Sequence, residues 1–275
     1  MNQIAQRYRD ACMDELSAIK PGNVHIFADG HGMVVQDFIQ SADASMHAIA
    51  KQGCNVGERI FYAIEATWQA VSCNTNLGIV LLISPLIQAI LNEGSLSKQS
   101  VGNVLNELTI DDAKYAYRAI KLASPAGLGE LDAHDVSADA EITLLVAMQI
   151  AADRDLVARQ YANQFDDVFD LGLKVLSDGL AKWERPSWAV TAVYLSFVAK
   201  FLDSHIVRKY GEPTALEVQQ EAKHHLAKLL ALDNPKLCLA DLLAWDASLK
   251  QRGINPGTSA DLTVATCFAG KYLLA

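Results

Sequence analysis

The chain has 275 residues, 51% of them hydrophobic, with 23 lysines and arginines against 32 aspartates and glutamates, a net charge of −9. That composition supports a sizeable core and excludes a disordered or fibrous chain. The acidic balance argues against a nucleic-acid surface, which needs a basic stripe, and requires any phosphorylated ligand to be met by a local basic cluster or a metal ion.

The opening residues, MNQIAQRYRDACMDEL, are charged throughout and lack the apolar core of a signal sequence. They predict a helix that ends at the turn "KPGN", residues 20 to 23, followed by a glycine-rich loop leading to Asp37. In this corner Glu15 and Asp37 offer carboxylates, Lys20 and Asn23 offer donors to an anion, and Gly22 lets the backbone approach a ligand closely. An ordinary helix–loop–helix corner has the same spacing.

Next comes "NTNLG", Asn74 to Gly78, at the threshold of the greasiest run, LGIVLLISPLIQAIL from Leu77 to Leu91. The run contains Pro85 and falls short of the roughly 20 residues needed to cross a bilayer, so a buried core helix is expected, with no membrane association and a cytoplasmic location. Such a helix suits either a core or a twin subunit, which extends the expectations to a homo-oligomer. Asn74 or Thr75 can cap it, a contribution of roughly 1 kcal/mol. Asn74, Thr75 and Asn76 together must also find partners or a ligand.

Apolar residues recur at three and four positions through Ile142, Leu145, Met148 and Ala152, and again through Tyr194, Phe197, Val198, Phe201 and Leu202, predicting amphipathic or buried helices. On the first, Asp155 falls on the stripe of Leu144, Met148 and Ala151, whereas Asp153 points nearly the opposite way. Asp155 either pairs with Arg159 one turn on or serves a ligand. The second helix leads along a narrow face of Ala192, Ser196 and Ala199 to Asp203, with His205, Arg208 and Lys209 following and Gly211 ending the segment.

The last motif is "NPGTSADLT", residues 255 to 263. Asn255, Pro256 and Gly257 are turn formers, and Thr258 as N-cap with Asp261 three residues later resembles a capping box. The N–H groups of Gly257, Thr258 and Ser259 behind such a turn also suit an anion, and Asp261 tolerates phosphate there if Mg²⁺ lies between them.

Alternating β-branched segments are nearly absent. Breaks at 20–36, 92–100, 123–137, 180–187, 208–213, 232–236 and 252–257 leave about ten helices, so the expectation is an all-α fold in a single domain over residues 1–275. Cys12, Cys54, Cys73, Cys238 and Cys267 show no C-x-x-C spacing and are expected to be reduced and mostly buried.

With "KPGN", "NTNLG", "GLG" at 127 to 129, "DSHIVRKYG" and "NPGTSADL" in that order, the chain resembles the triphosphoribosyl-dephospho-CoA synthase family over about residues 15 to 268. The resemblance implies an all-helical transferase that displaces adenine from ATP with the ribose 2′-hydroxyl of dephospho-CoA. The product is the precursor of the prosthetic group on the acyl carrier subunits of citrate lyase and malonate decarboxylase. Better-known members read Asn-Thr-His-Lys-Gly where this chain has Asn74 to Gly78, and Asp-Thr-Asn and Ser-Pro-Gly-Gly-Ser-Ala-Asp where it has Asp203 to His205 and Asn255 to Asp261. The pattern resembles a divergent branch also associated with archaeal and methylotrophic one-carbon metabolism. The alternatives are therefore a group transferase building a one-carbon carrier of the methanopterin or methylofuran type, and a non-catalytic helical nucleotide-binding or assembly module.

Substitution at an anomeric carbon passes through a ribosyl cation-like state, which calls for negative charge near the sugar, a donor to the departing base and a base for the attacking hydroxyl. The expected roles follow. Asp37 and Asp203, with Glu15 and Asp261, bind Mg²⁺ or steady the sugar, and Asp155 or Asp153 is the general base. Lys20, Arg208, Lys209 and the N–H groups after Gly257 hold phosphates, with Gly22, Asn23, His205, Asn255, Thr258 and Ser259 completing those corners. Asn74, Thr75 and Asn76 orient ATP or another nucleotide, beside dephospho-CoA or another phosphorylated acceptor.

Overall fold

The computed structural model describes residues 3–123 and 140–274. Their elements in order are α1 (Gln3–Ser17), α2 (Val35–Ile49), α3 (Val56–Val71), α4 (Leu77–Glu93), α5 (Lys98–Asn106), α6 (Ile110–Ala123), α7 (Leu144–Ala151), α8 (Leu156–Ala162), a π-helical turn (Asp167–Gly172), α9 (Leu173–Lys182), α10 (Pro186–Lys200), α11 (Ser204–Tyr210), α12 (Glu212–Leu230), a 3₁₀ turn (Pro235–Cys238), α13 (Leu239–Gln251) and α14 (Gly257–Leu273). Among the described residues β-pairing is limited to the isolated bridges His25–Ala28 and Gly30–Met33, so the all-α expectation holds. The "GLG" of 127 to 129 and most of the expected break at 123–137 lie outside the described residues.

Fourteen α-helices rather than about ten are present among the described residues, because several breaks carry no Gly or Pro cluster. Ser72 closes α3 in the left-handed conformation, φ 55°, donating its N–H to Trp68. Asp155 and Asp203, placed by periodicity on continuous helical faces, instead stand at helix breaks as extended N-caps of α8 and α11. A short acceptor side chain there satisfies N–H groups that a continuing helix would have bonded itself, so the carboxylate starts a new helix.

Backbone contacts divide the chain into two compact units, Met1–Asp10 with Asp37–Asp167, and Ala11–Gln36 with Val168–Ala275. In the first, α4 is buried along almost its whole length, as its composition predicts, and continues through Pro85. Proline has no N–H to give the carbonyl four residues back, and that carbonyl, Leu81, instead accepts the hydroxyl of the fully buried Tyr161 at 2.6 Å. Arg59 on α3 is likewise fully buried, donating to the carbonyls of Ile49, Lys51 and Cys54 and to Gln88. It thereby fixes the α2–α3 loop.

In the second unit α10 is apolar all round and packs against α9, α12 and α14. Trp183, Trp188, Tyr194, Leu195, Leu229, Leu242, Trp245, Leu249 and Ile254 share this core. All five cysteines are free, four of them buried and Cys73 half-buried, as expected. Among the described residues no single helix is long and apolar enough to cross a membrane.

Candidate functional site

Three of the sequence corners meet within the second unit. Lys20 is 0% exposed and lies between two polar partners, donating to Glu15 Oε1 and, at 2.9 Å, to Asn23 Oδ1. Asn23 Nδ2 in turn donates to Asn255 Oδ1 at 2.8 Å, which joins the "KPGN" turn to the "NPG" turn. Burial pushes the Glu15 carboxyl up and the Lys20 amine down, each opposed by the other's charge, and Asp261 adds a second negative charge acting on Lys20.

The turn backbone is held on every side. The Pro21 carbonyl accepts from Tyr194 Oη at 2.7 Å, Gly22 N donates to Asp246 Oδ1 at 2.8 Å, and the Gly22 carbonyl accepts from His31 Nε2 at 2.7 Å. Gly22 has φ +84°, and a Cβ there would come within 2.9 Å of Pro256 Cδ, so both conformation and contact require glycine.

The entry to α14 differs from the expected capping box. Gly257 N donates to the Asn255 carbonyl at 2.8 Å around Pro256 (φ −75°, ψ 61°), an inverse γ-turn, and no side chain of the same segment caps the helix. The cap comes from elsewhere. Asp203 Oδ2 accepts both the N–H of Ser259 at 2.7 Å and its hydroxyl at 2.8 Å, while Oδ1 accepts the N–H groups of His205 and Ile206 at the start of α11. One buried carboxylate therefore locks two helix N-termini. Burial raises the Asp203 carboxyl, against the donors of Ser259 and Ile206 and the charge of His205. His205, half-buried, is lowered by burial against the pull of Asp203; a Cβ on Gly257 would lie 3.3 Å from its Nδ1. Thr258 is buried beside Ser259, Arg208 is half-buried and Lys209 exposed, its amine 5.2 Å from the Tyr210 ring centroid.

The fourth corner belongs to the first unit. Asn74 Oδ1 accepts the N–H of Leu77 at 3.2 Å, the Thr75 hydroxyl donates to Ser41 Oγ at 2.6 Å, and Asn76 Nδ2 donates to Thr67 Oγ1 at 2.9 Å and approaches Ser45 Oγ at 3.3 Å. Each of the three polar residues has a partner, yet Asn76 Oδ1 is buried without one among the described residues. Whichever way the amide is turned, one of its terminal atoms is left over. Asp37 sits in the first turn of α2, and its charge, second to burial, raises the Cys73 thiol. Asp153 lies in an exposed turn. Asp155 caps α8 through Val157 N and Ala158 N, and the anticipated partner Arg159 bonds Asp167 at 2.9 Å.

Sequence reasoning missed Asp246, His25, His31 and Lys250. Asp246 lies between Leu242 and Leu249 on the buried face of α13, so the same apolar-stripe signal that singled out Asp155 marks it too. Burial pushes its carboxyl up, but the His25 ring 3.4 Å away and the bonds from Lys250 and Gly22 N outweigh burial and hold it below the usual range. Among the described residues no three His, Cys, Asp or Glu side chains gather as a metal centre does. Glu15 is engaged by Lys20, and both oxygens of Asp203 are engaged by N–H and O–H donors, so these two do not fit as ligands of a resident magnesium ion.

The sequence profile of the family described as CitG, ATP:dephospho-CoA triphosphoribosyl transferase, matches residues 1–274. A crystal structure of an Archaeoglobus fulgidus protein assigned as a triphosphoribosyl-dephospho-CoA synthase superposes with a TM-score of 0.67 at 23% identity, covering 86% of this chain and 97% of that one. At that identity the likeness establishes a common fold. Comparison with curated proteins gives no match. With its whole length matched by the family profile, the chain belongs to the ATP:dephospho-CoA triphosphoribosyl transferases, enzymes of prosthetic-group biosynthesis that transfer a triphosphoribosyl group from ATP to dephospho-CoA.

Proposed function

We propose that the linked turns of the second unit, Lys20–Asn23 and Asn255–Ser259, position the ATP sugar and triphosphate for displacement of adenine. The observation that carries this reading is the Asn23–Asn255 bond, which makes one rigid polar element of two motifs 232 positions apart. In the reaction the glycosidic C1′–N9 bond breaks and a C1′–O bond forms to the hydroxyl of dephospho-CoA. The hydroxyl proton passes to a base, and the departing adenine takes up a proton.

In this reading Asp261, partly exposed at the start of the second turn of α14 and close enough to act on Lys20, is the carboxylate that steadies positive charge at the anomeric carbon and accepts the proton. Asp203 acts as a positioning residue, because its oxygens already hold the starts of α11 and α14. Arg208 and Lys209, in the last turn of α11, answer the triphosphate charge. Lys20 stiffens the Glu15–Asn23–Asn255 chain from within. Magnesium enters as the counter-ion of ATP, as part of that substrate.

In the first unit, the leftover acceptor of Asn76 suits an N–H donor on a substrate, beside the Thr67 and Ser45 hydroxyls that its amide nitrogen meets. The five free thiols suit a reducing, cytoplasmic setting. The test is release of free adenine from ATP in the presence of dephospho-CoA, compared between the wild type and Asp261→Asn. Wild-type turnover that falls by about a hundredfold or more in the variant, the scale of a lost general base, supports the assignment, and equal turnover removes Asp261 from it.

A further inference from the structure

The loop between Asn23 and Val35 ends in a tip whose purpose the polar corner does not explain. Among the described residues Phe27 is the one large aromatic side chain in the exposed class, at 55%, with Ile26 beside it at 53%. A greasy tip on a floppy loop has little meaning, but this loop is fixed at every turn. Phe27 N donates to His25 Nδ1 at 3.3 Å, which leaves the proton of the neutral His25 ring on Nε2, 3.4 Å from Asp246 Oδ1. The Ala28 carbonyl accepts from Lys250 Nζ at 3.0 Å, Ile26 N donates to the Leu16 carbonyl at 3.0 Å, and Asp29 Oδ1 accepts from Val35 N at 2.8 Å. The Phe27 and His25 ring centroids are 5.9 Å apart. His25, Asp246 and Gly22 thus connect the exposed ring to the "KPGN" turn through consecutive contacts.

We infer that Phe27 is a stacking platform for an adenine ring of ATP or dephospho-CoA, set at the rim of the polar corner. Both substrates of the family reaction carry adenine, a flat apolar face that stacks on aromatic side chains without needing a particular hydrogen-bond pattern. With the backbone on both sides of Phe27 already held, covering the ring requires little further ordering of the loop, which favours a small planar ligand. The tip is too small for the other obvious occupant, a second copy of this chain. It offers Ile26, Phe27 and Val34, flanked by exposed Asp29, Gly32 and Gln36, whereas a stable dimer needs roughly 800 Å² per partner.

The inference rests on the placement of the substrate at this corner, and its test separates the two. Phe27→Ala, Phe27→Trp and the wild type are compared for KM of each substrate, for kcat, for direct calorimetric binding of ATP and of dephospho-CoA, and for sedimentation mass. Phe27→Ala is expected to raise the KM and weaken the binding of one substrate by roughly 5- to 150-fold, the range that loss of one base–aromatic stack carries, with kcat within about threefold. Phe27→Trp restores affinity, and the substrate affected identifies the adenine concerned. Unchanged affinity for both substrates overturns the platform, as does a change confined to sedimentation mass. If the wild type releases no adenine yet binds either nucleotide through Phe27, the platform stands and the catalytic reading falls.

Discussion

Asn23 Nδ2 and Asn255 Oδ1 meet at 2.8 Å in the interior of the second unit, each amide nearly closed to solvent. Replacing Asn255 by Ala leaves the Asn23 donor buried and unpaired, a penalty of about 1–3 kcal/mol. Denaturant unfolding is expected to show that loss, and catalysis to fall further than stability accounts for, because Lys20 and Glu15 lose their register. Activity that merely tracks the folded fraction contradicts a positioning role.

Asp203→Asn swaps an acceptor oxygen for a donor facing the N–H and hydroxyl of Ser259. Two helix caps are compromised, so a loss of about 2–4 kcal/mol is expected, with adenine release far slower in protein that remains folded. Ser259→Ala, which keeps the backbone bond, is expected to lose only about 1 kcal/mol. Equal effects from the two variants in urea titration contradict the double-cap geometry.

Tyr161→Phe strands the Leu81 carbonyl inside the first unit, with an expected loss of about 1–3 kcal/mol. Pro85→Ala returns an N–H to that carbonyl, so it is more favourable when combined with Tyr161→Phe than when introduced into the wild type. A double-mutant cycle without coupling contradicts this partnership.

Burial lowers both His25 and His205 below the ordinary value of 6.5. A proton enters the unfolded ring before the folded one, so the folded state binds fewer protons as pH falls through 6.5 towards the native values. Stability is therefore fully present above 6.5 and declines below it, each tenfold difference in proton affinity between the two states costing at most about 1.4 kcal/mol per histidine. Unfolding midpoints measured between pH 7.5 and pH 5 are expected to show this slope, and a smaller one in His25→Phe. A midpoint that rises on acidification contradicts the direction.

The helical class was legible because apolar spacing reports burial directly, and α4 was recognisable, proline included, from composition alone. Where α10 gives way to α11 the signal failed: Asp203 extends the periodicity of the preceding helix, its local capping of α11 was masked by that pattern, and its second cap, on Ser259 of α14, has no local signature. The corners at Lys20–Asn23 and Asn255–Ser259 were visible as turns, whereas their mutual bond, across 232 positions, has no local signature. Asp246 carries the right signal, a carboxylate on an apolar face, but it lies inside α13, away from the turn motifs at either end that drew attention to their own residues.

Adenine release is the most direct measurement. Incubation of the folded protein with ATP, magnesium and dephospho-CoA is predicted to liberate free adenine in step with a triphosphoribosylated product, and to do so far more slowly with Asp203→Asn. Folded wild-type protein that yields no adenine contradicts the account.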